Sequence, residues 1–172
     1  MGEKGMLGDS LAISIIGVRN FYGKLGKGKP CDWLQLWFVA APNETKIPTN
    51  VVCVTYIKTR SKSALGQTLI EVMQSTEPAL GIFETGFEQH SNELGKYYSI
   101  NWKWRERKPE EMNQLNLIAE LLKTKPALID TNLPDTMILI QGIEKEKELE
   151  EAKIEVKILM DKRQKLIEAA KS

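Results

Sequence analysis

In the stretch VVCVTYIKTRSKSALGQTLIEVMQS, residues 51–75, the hydrophobic pattern changes from that of a strand to that of a helix. Residues 51–58 have almost no polar interruption and are rich in β-branched side chains, as buried strands are. From Ser63 to Ser75 the apolar residues recur at helical spacing, and Glu77-Pro78 ends the helix. One helix therefore follows a strand in a part of the chain that is otherwise rich in strand patterns.

Two strands are predicted before this stretch and two after it. The first two are Leu11–Tyr22 and Cys31–Ala41, joined by a Gly- and Lys-rich loop at residues 23–30. The last two are Ala79–Phe87 and Lys96–Arg107, joined by a polar hairpin loop at residues 89–95. Residues 1–10 are Gly-rich and predict a loose N-terminus. The order over residues 11–107 is thus strand, strand, strand, helix, strand, strand.

The second strand has two unlike faces. Because side chains alternate along a strand, Leu34 and Leu36 fall on one face and Trp33 and Trp37 on the other. The aliphatic face is expected to pack in the core. Two large rings on the opposite face are costly to leave in water unless they are covered or used for binding. The alternatives of base stacking and of cover by the tail helix or by a second subunit both stay open.

The C-terminal region, residues 109–172, is predicted to be helical. Pro109 favours a short helix that ends before Pro126, and a run almost free of Gly and Pro after Pro134 predicts a long one. Its apolar residues at alternating spacings of three and four predict an oligomerisation seam. The seam consists of Leu149, Ala152, Val156, Leu159 and Leu166. Alternatively this helix packs back on its own domain, because Ile154, Ile158 and Ile167 broaden the apolar surface.

The aromatic residues are confined to the span from Phe21 to Trp104, where Lys and Arg interleave with them. The net charge of +1 divides into +3 for residues 1–110 and −2 for residues 111–172. Proteins that hold single-stranded nucleic acid combine stacking rings with a basic track in this way. The composition is therefore compatible with nucleic-acid binding, provided that the basic residues gather on one face.

The order of elements is that of the OB-fold, a five-stranded barrel with a helix between its third and fourth strands. Here the chain resembles the bacterial single-stranded DNA-binding protein family. The resemblance covers residues 11–107 and lies in the Gly/Lys turn after strand 1, the helix Ala64–Ser75, GIFETGF at 81–87 and GKYYSI at 95–100. It implies stacking rings near Trp33, Trp37, Tyr56 and Phe87. In place of that family's flexible linker and acidic tip, this chain ends on a helix.

These observations together predict a mainly β protein, with an OB-fold barrel at residues 11–108 and a helical oligomerisation or partner-docking region at 109–172. Its function would be non-catalytic binding of single-stranded nucleic acid, DNA in preference to RNA, with weak sequence preference. Basic residues would meet phosphates: Lys24, Lys27, Lys29, Arg60, Lys62, Lys103, Arg105 and Arg107. Trp33, Trp37, Tyr56 and Phe87 would stack. The alternative function is an OB-fold adaptor whose aromatic face and C-terminal helix bind a protein partner.

Several other classes are disfavoured. Gly23-x4-Gly28-Lys29 resembles a P-loop, but Pro30 offers no hydroxyl and a strand rather than a helix follows. His90 is the one histidine and is expected to be solvated in the hairpin loop, so no catalytic constellation, metal site or cofactor is predicted. Cys31 and Cys53 are expected to be buried free thiols of a cytoplasmic protein. No apolar run approaches the ~20 residues of a membrane span.

Overall fold

A computed structural model describes residues 9–139 and 141–171 and consists of one antiparallel sheet and three α-helices. The elements are β1 Leu11–Gly23, β2 Cys31–Ala40, β3 Cys53–Lys58, α1 Thr59–Met73, β4 Gly81–Asn92, β5 Gly95–Glu106, α2 Asn113–Thr124, β6 Thr136–Ile138 and α3 Gln141–Ala170. The prediction of a mainly β protein with a helical C-terminal part is confirmed. The strand β6 was not predicted, since three residues give too short a pattern to recognise.

The sheet has the strand order β3-β2-β1-β4-β5, and β6 pairs separately with β1 at Gly17–Arg19. Among the described residues no hydrogen-bonded ladder joins the two edge strands β3 and β5, so the sheet is open. Helix α1 bridges these edges. Ser61 Oγ accepts a hydrogen bond from the backbone N–H of Ile100 at 2.9 Å, and the Ser61 carbonyl accepts one from Trp102 Nε1 at 3.1 Å.

The aliphatic face of β2 packs in the core, as its alternation predicts, although residues 13–18 of β1 and 34–40 of β2 are buried on both faces. Leu34 pairs with Ile57 and Leu36 pairs with Val18, and all four side chains are buried. Leu65 of α1 is fully buried as well. Each such aliphatic side chain contributes about 1.5–3 kcal/mol when it leaves water. The opposite face is accessible only at residues 19–23 of β1, at residues 31–33 of β2 and along β3.

The hairpin between β4 and β5 is tighter than the sequence predicted. The polar residues 89–92 continue β4, and they pair with β5 up to Asn92 opposite Gly95. Only Glu93 and Leu94 form the turn, where Asn92 Oδ1 accepts a hydrogen bond from the Leu94 N–H at 2.9 Å. The ladder satisfies the backbone hydrogen-bonding groups of this polar segment, so the segment forms a strand despite its polar side chains. His90 consequently lies in a strand.

The chain forms two compact units that divide after residue 140, and not after residue 108. Helix α2 belongs to the first unit because Gln114 Nε2 donates a hydrogen bond to the Ala40 carbonyl of β2. The prediction of a loose N-terminus falls mostly outside the described residues. Within the described part of the chain, no helix combines the length and the hydropathy that crossing a bilayer requires.

Candidate nucleic-acid interface

The outer face of β1, β2 and β3 carries a patch of rings and cations. Strand register aligns Arg19, Gln35 and Tyr56 in one cross-strand row, and Phe21, Trp33 and Lys58 in the next. Cross-strand partners project from the same face of a sheet. We call the ring- and charge-bearing members of these rows the platform: Arg19, Phe21, Trp33, Tyr56 and Lys58. All five are partly or largely exposed to solvent.

One row of the platform is fixed by a chain of polar contacts. Arg19 Nε donates a hydrogen bond to Gln35 Oε1 at 2.9 Å, and Gln35 Nε2 donates one to the Tyr56 hydroxyl at 3.3 Å. The Phe21 and Tyr56 rings meet edge to face with centroids 5.8 Å apart, and the Arg19 guanidinium lies 4.8 Å from the Phe21 centroid. These contacts restrict the rotation of both rings, which lowers the entropy cost of placing a ligand on them.

The other row centres on Trp33. Its Nε1 donates a hydrogen bond to the Gly23 carbonyl at 3.0 Å, which fixes the plane of the indole. The Lys58 ammonium lies 5.2 Å from the Trp33 ring centroid. A cation over an indole face can neutralise a phosphate while the ring meets the attached base.

The platform continues into a cleft of about 550 Å³ at the open edge of the sheet. The cleft lies between the end of β3, the start of α1 and the first half of β5. Of the eleven described residues that line it, none is acidic. Four are aromatic and two are basic: Trp33, Tyr56, Tyr97 and Tyr98, with Lys58 and Arg60. The platform and the cleft together form a continuous surface of rings and positive charge.

His90 stands beside this cleft. Its Nδ1 is 3.2 Å from Arg60 Nη1, and its Nε2 is 2.7 Å from Ser99 Oγ. Because a guanidinium can only donate, Nδ1 must accept and Nε2 carries the hydrogen in the neutral ring. In this tautomer Nε2 donates to Ser99 and is unable to take its proton. The Ser99–His90 contact is therefore not arranged as a nucleophile with its base.

Among the predicted phosphate-binding residues, the structure brings Arg60 and Lys62 to this region. Arg60 lines the cleft, and Lys62 lines an adjoining cavity of about 400 Å³ together with Lys58 and the acidic Asp32. Lys24, Lys27 and Lys29 are exposed in the loop between β1 and β2, next to the platform strands.

Phe87, a predicted stacking residue, is 55% exposed on β4. Phe87 pairs with Ile100, and Gln89 of the same face pairs with Tyr98, so Phe87 and Tyr98 share one face of the hairpin. Phe87 itself is not among the described residues that line the cleft.

The prediction that Trp37 is open for stacking is wrong. The side chain is only 4% exposed, although it lies on the outer face of β2 as predicted. Both the Trp37 ring and the Ile129 side chain lie over Gly17, within 3.5 Å of where its Cβ would be. Ile129 precedes β6 and is itself buried. The segment that leads into β6 covers this end of the face, so the choice left open by the sequence is decided in favour of cover for Trp37.

Arg107 does not face solvent as predicted. It is buried, and its guanidinium donates hydrogen bonds to the Ala79 and Glu111 carbonyls, to Gln114 Oε1 and to Ser14 Oγ. Burial lowers the pKa of Arg107 to about 10. The residue is part of the packing between α2 and the sheet, because α2 covers this end of β5.

Arg105 and Lys103 also lie away from the platform. Arg105 is paired with Glu84 at 2.9 Å and with Glu111 at 2.8 Å, and the hydrogen bonds to Glu111 raise its pKa. Those same bonds lower the pKa of Glu111 to about 2. Lys103 is exposed, but it lines a separate cavity that also holds Glu44 and Glu84. Acidic neighbours make this region unfavourable for a polyanion.

Of the predicted oligomerisation residues, Ala152, Val156, Leu159 and Leu166 are exposed on α3. Leu149 lies outside the residues whose side chains the structure describes. At about 100° per residue, Ile154 and Ile158 project from the opposite side of the helix. The apolar surface of α3 is thus broader than a two-position seam, as the sequence indicates.

The sequence analysis did not select Arg19, Phe21, Lys58 or Tyr98. Alternation along β1 already places Arg19 and Phe21 on one face, so that signal could have found them. The register that aligns this face with Trp33 and Tyr56 required the structure. Cys31 and Cys53 are free thiols but are half-buried rather than buried.

Comparison of the chain with protein-family models, with curated proteins and with solved structures gives no match. The resemblance to the single-stranded DNA-binding family therefore remains a prediction from the sequence. Within the described residues, no group of three or more His, Cys, Asp or Glu side chains is arranged to hold a metal ion.

Proposed function

We propose that this protein binds single-stranded nucleic acid on the platform and in the cleft, with weak sequence preference. The observation that carries the proposal is the cleft of about 550 Å³, lined by four aromatic and two basic residues and by no acidic one among the residues described. Every base has a π-face, so stacking is tolerant of sequence and contributes about 1–3 kcal/mol per base. DNA is preferred to RNA on the strength of the sequence resemblance alone.

The route of the strand follows from the positions of rings and cations. Bases would stack on Phe21, Trp33 and Tyr56 and then enter the cleft, which Tyr97 and Tyr98 both line. Phosphates would meet Lys58, Arg60 and Lys62, with the lysines of the β1–β2 loop adding attraction. The weak overall charge of +1 is no obstacle, because affinity depends on the phosphates that are contacted locally.

The sheet that carries this surface is, in our proposal, an OB-type barrel opened between β3 and β5. The strand order and the position of α1 between β3 and β4 support this assignment. Ser61 contributes by bonding α1 to β5 across the opening. The cleft would then be the gap where barrel strands otherwise pair, which gives bases access to the rings on both edges.

Self-association through α3 is a further part of the proposal. Val156, Leu159 and Leu166 are each more than half exposed, and so many large apolar side chains on one helix favour burial against another copy. Light scattering of the full chain, compared with the triple variant Val156→Ser, Leu159→Ser and Leu166→Ser, tests this. The mass should fall in the variant, and an equal mass would contradict the role of α3.

An adaptor function is the second candidate, and the tip of the β4–β5 hairpin favours it. Leu94 is 97% exposed at the apex, next to Glu93. A polyanion would be repelled by this carboxylate, whereas a protein pocket with an apolar floor and a basic rim would fit. Leu94→Ser should then reduce partner capture while nucleic-acid affinity stays unchanged.

Fluorescence titration with oligo-dT at low salt tests the leading proposal. Tryptophan emission should be quenched on binding, and affinity should fall as salt rises. Lys58→Gln should reduce the slope of log K against log salt by about one, because one phosphate contact is lost. Lys103→Gln is the matched control, since this exposed lysine lies beside carboxylates, and its slope should equal that of the wild type. Absence of quenching at low salt would reject the proposal.

A further inference from the structure

His90 contacts both a cation and a ring of the cleft. Its imidazole stacks on Tyr97 with centroids 5.1 Å apart and planes 25° from parallel. Its Nδ1 accepts a hydrogen bond from Arg60, whose guanidinium lies 5.9 Å from the Tyr97 centroid. The His90 side chain is only 14% exposed, so it is held in this arrangement. It therefore positions two of the residues assigned above to nucleic-acid binding.

The contact with Arg60 exists only when His90 is neutral. In the neutral ring Nδ1 offers a lone pair to the guanidinium, and Nε2 donates its hydrogen to Ser99 Oγ at 2.7 Å. When the ring is protonated, Nδ1 carries a hydrogen and can no longer accept. Two cations then face each other across 3.2 Å, while the bond to Ser99 is unaffected. Protonation thus breaks one contact, the one that restrains Arg60.

The other groups around His90 do not replace this contact. The Glu88 carboxylate of the same strand lies 3.8 Å from Nε2, whereas Arg60 contacts Nδ1. On β5, Tyr97 stacks on the ring and Ser99 accepts from Nε2. Arg60, at the start of α1, is the charged group that the described contacts place at Nδ1.

We propose that His90 is a pH-sensitive positioning residue of the cleft. In its neutral form it holds Arg60 against Tyr97, and when protonated it releases Arg60 to a phosphate of the bound strand. Binding of single-stranded nucleic acid is therefore stronger when His90 is protonated than when it is neutral. This inference rests on the proposed function, because the phosphate is that of the bound strand.

The chain contains a single histidine, so a histidine-dependent pH effect has one source. Oligo-dT affinity is measured for the full-length protein at pH 8 and pH 5.5 at constant ionic strength. The wild type should bind about tenfold more tightly at pH 5.5, the effect of one charge-assisted hydrogen bond. His90→Gln, whose amide oxygen can still accept from Arg60 but cannot titrate, should change by less than about twofold.

Arg60→Gln separates release of Arg60 from a simple gain of charge. Without the guanidinium there is no restrained cation to release, so this variant should also change by less than about twofold between the two pH values. A wild-type response in Arg60→Gln, or in His90→Gln, would overturn the inference while leaving the proposed function intact.

A second measurement needs no nucleic acid. The ¹⁵N resonances of the one imidazole in the free protein at pH 8 should report hydrogen on Nε2 and a lone pair on Nδ1. The opposite tautomer would overturn the inference. If this tautomer is observed but oligo-dT binds at neither pH, the proposed function would fail. The release of Arg60 to a phosphate would fail with it, although His90 would still hold Arg60.

Discussion

The guanidinium of Arg107 donates a hydrogen bond to Ser14 Oγ at 2.6 Å, although 93 positions separate the two residues. Ser14 is the fourth residue of β1, and Arg107 directly follows β5. Gln114 of α2 accepts from both Ser14 and Arg107 and donates to the Ala40 carbonyl of β2. One buried polar network therefore ties helix α2 to strands that are distant in the sequence.

Replacing Arg107 by Met should destabilise the protein by about 1–3 kcal/mol, because buried neutral acceptors lose their donor. Urea unfolding measures the loss. Lys103→Met, at an exposed position of the same strand region, should stay within about 0.5 kcal/mol of the wild type. Equal stability of the two variants would show that the Arg107 network does not hold α2 in place.

Glu111 should make stability depend on pH in the acid range. Its pKa is lowered from 4.5 to about 2, chiefly by the hydrogen bonds from Arg105. A group whose pKa is lower in the folded state stabilises the fold fully above its unfolded pKa and loses that contribution as pH falls through the folded value. The loss should therefore develop between about pH 4.5 and pH 2 and be on the order of 3 kcal/mol.

Urea midpoints at pH 7, 4.5 and 2.5 for the wild type and for Glu111→Gln isolate this contribution. The difference between the two proteins should be largest at pH 7 and should shrink at pH 2.5. A difference that is independent of pH would mean that the carboxylate charge is not involved.

Replacing Trp37 should mainly lower the stability of the protein, whereas replacing Trp33 should mainly weaken its binding of oligo-dT. Trp37→Ala removes a buried ring and should cost about 3–5 kcal/mol in the free energy of unfolding. Trp33→Ala should cost less, because that ring is only half-buried, but it should weaken oligo-dT binding by about 1–3 kcal/mol. Urea unfolding and fluorescence titration of both variants provide the measurements. If the folded Trp37→Ala protein bound oligo-dT more weakly and the Trp33→Ala protein did not, this assignment would be reversed.

Two glycines should differ in their tolerance of alanine. A Cβ on Gly81 would overlap the Trp104 ring and the Arg105 carbonyl, so Gly81→Ala should destabilise by about 1–3 kcal/mol or more. Gly66 lies inside α1 with open space around its Cβ direction, so Gly66→Ala should stabilise by up to about 1 kcal/mol. The thermal unfolding midpoints of the two variants should shift in opposite directions from that of the wild type. A higher midpoint for Gly81→Ala than for the wild type would contradict the packing described.

The candidate site was predictable only in part. Trp33, Tyr56 and Arg60 could be proposed from their aromatic and basic character and lie together at the cleft. Trp37 and Arg107 have the same character but are buried. Local pattern cannot separate these cases, because the residues that cover Trp37 and Arg107 come from the segment after β5.

The sequence by itself determined the strands β1 to β5, the three helices and the two unlike faces of β2, since each follows from the period of apolar residues within a few turns or strand residues. Tertiary structure alone decided which rings stay open and which cations stay free. Pairing of Phe21 with Trp33, and cover of Gly17 by Ile129, depend on register and on contacts between distant segments. Such contacts leave no periodic trace in the sequence, because each is set by where two separate stretches of backbone meet.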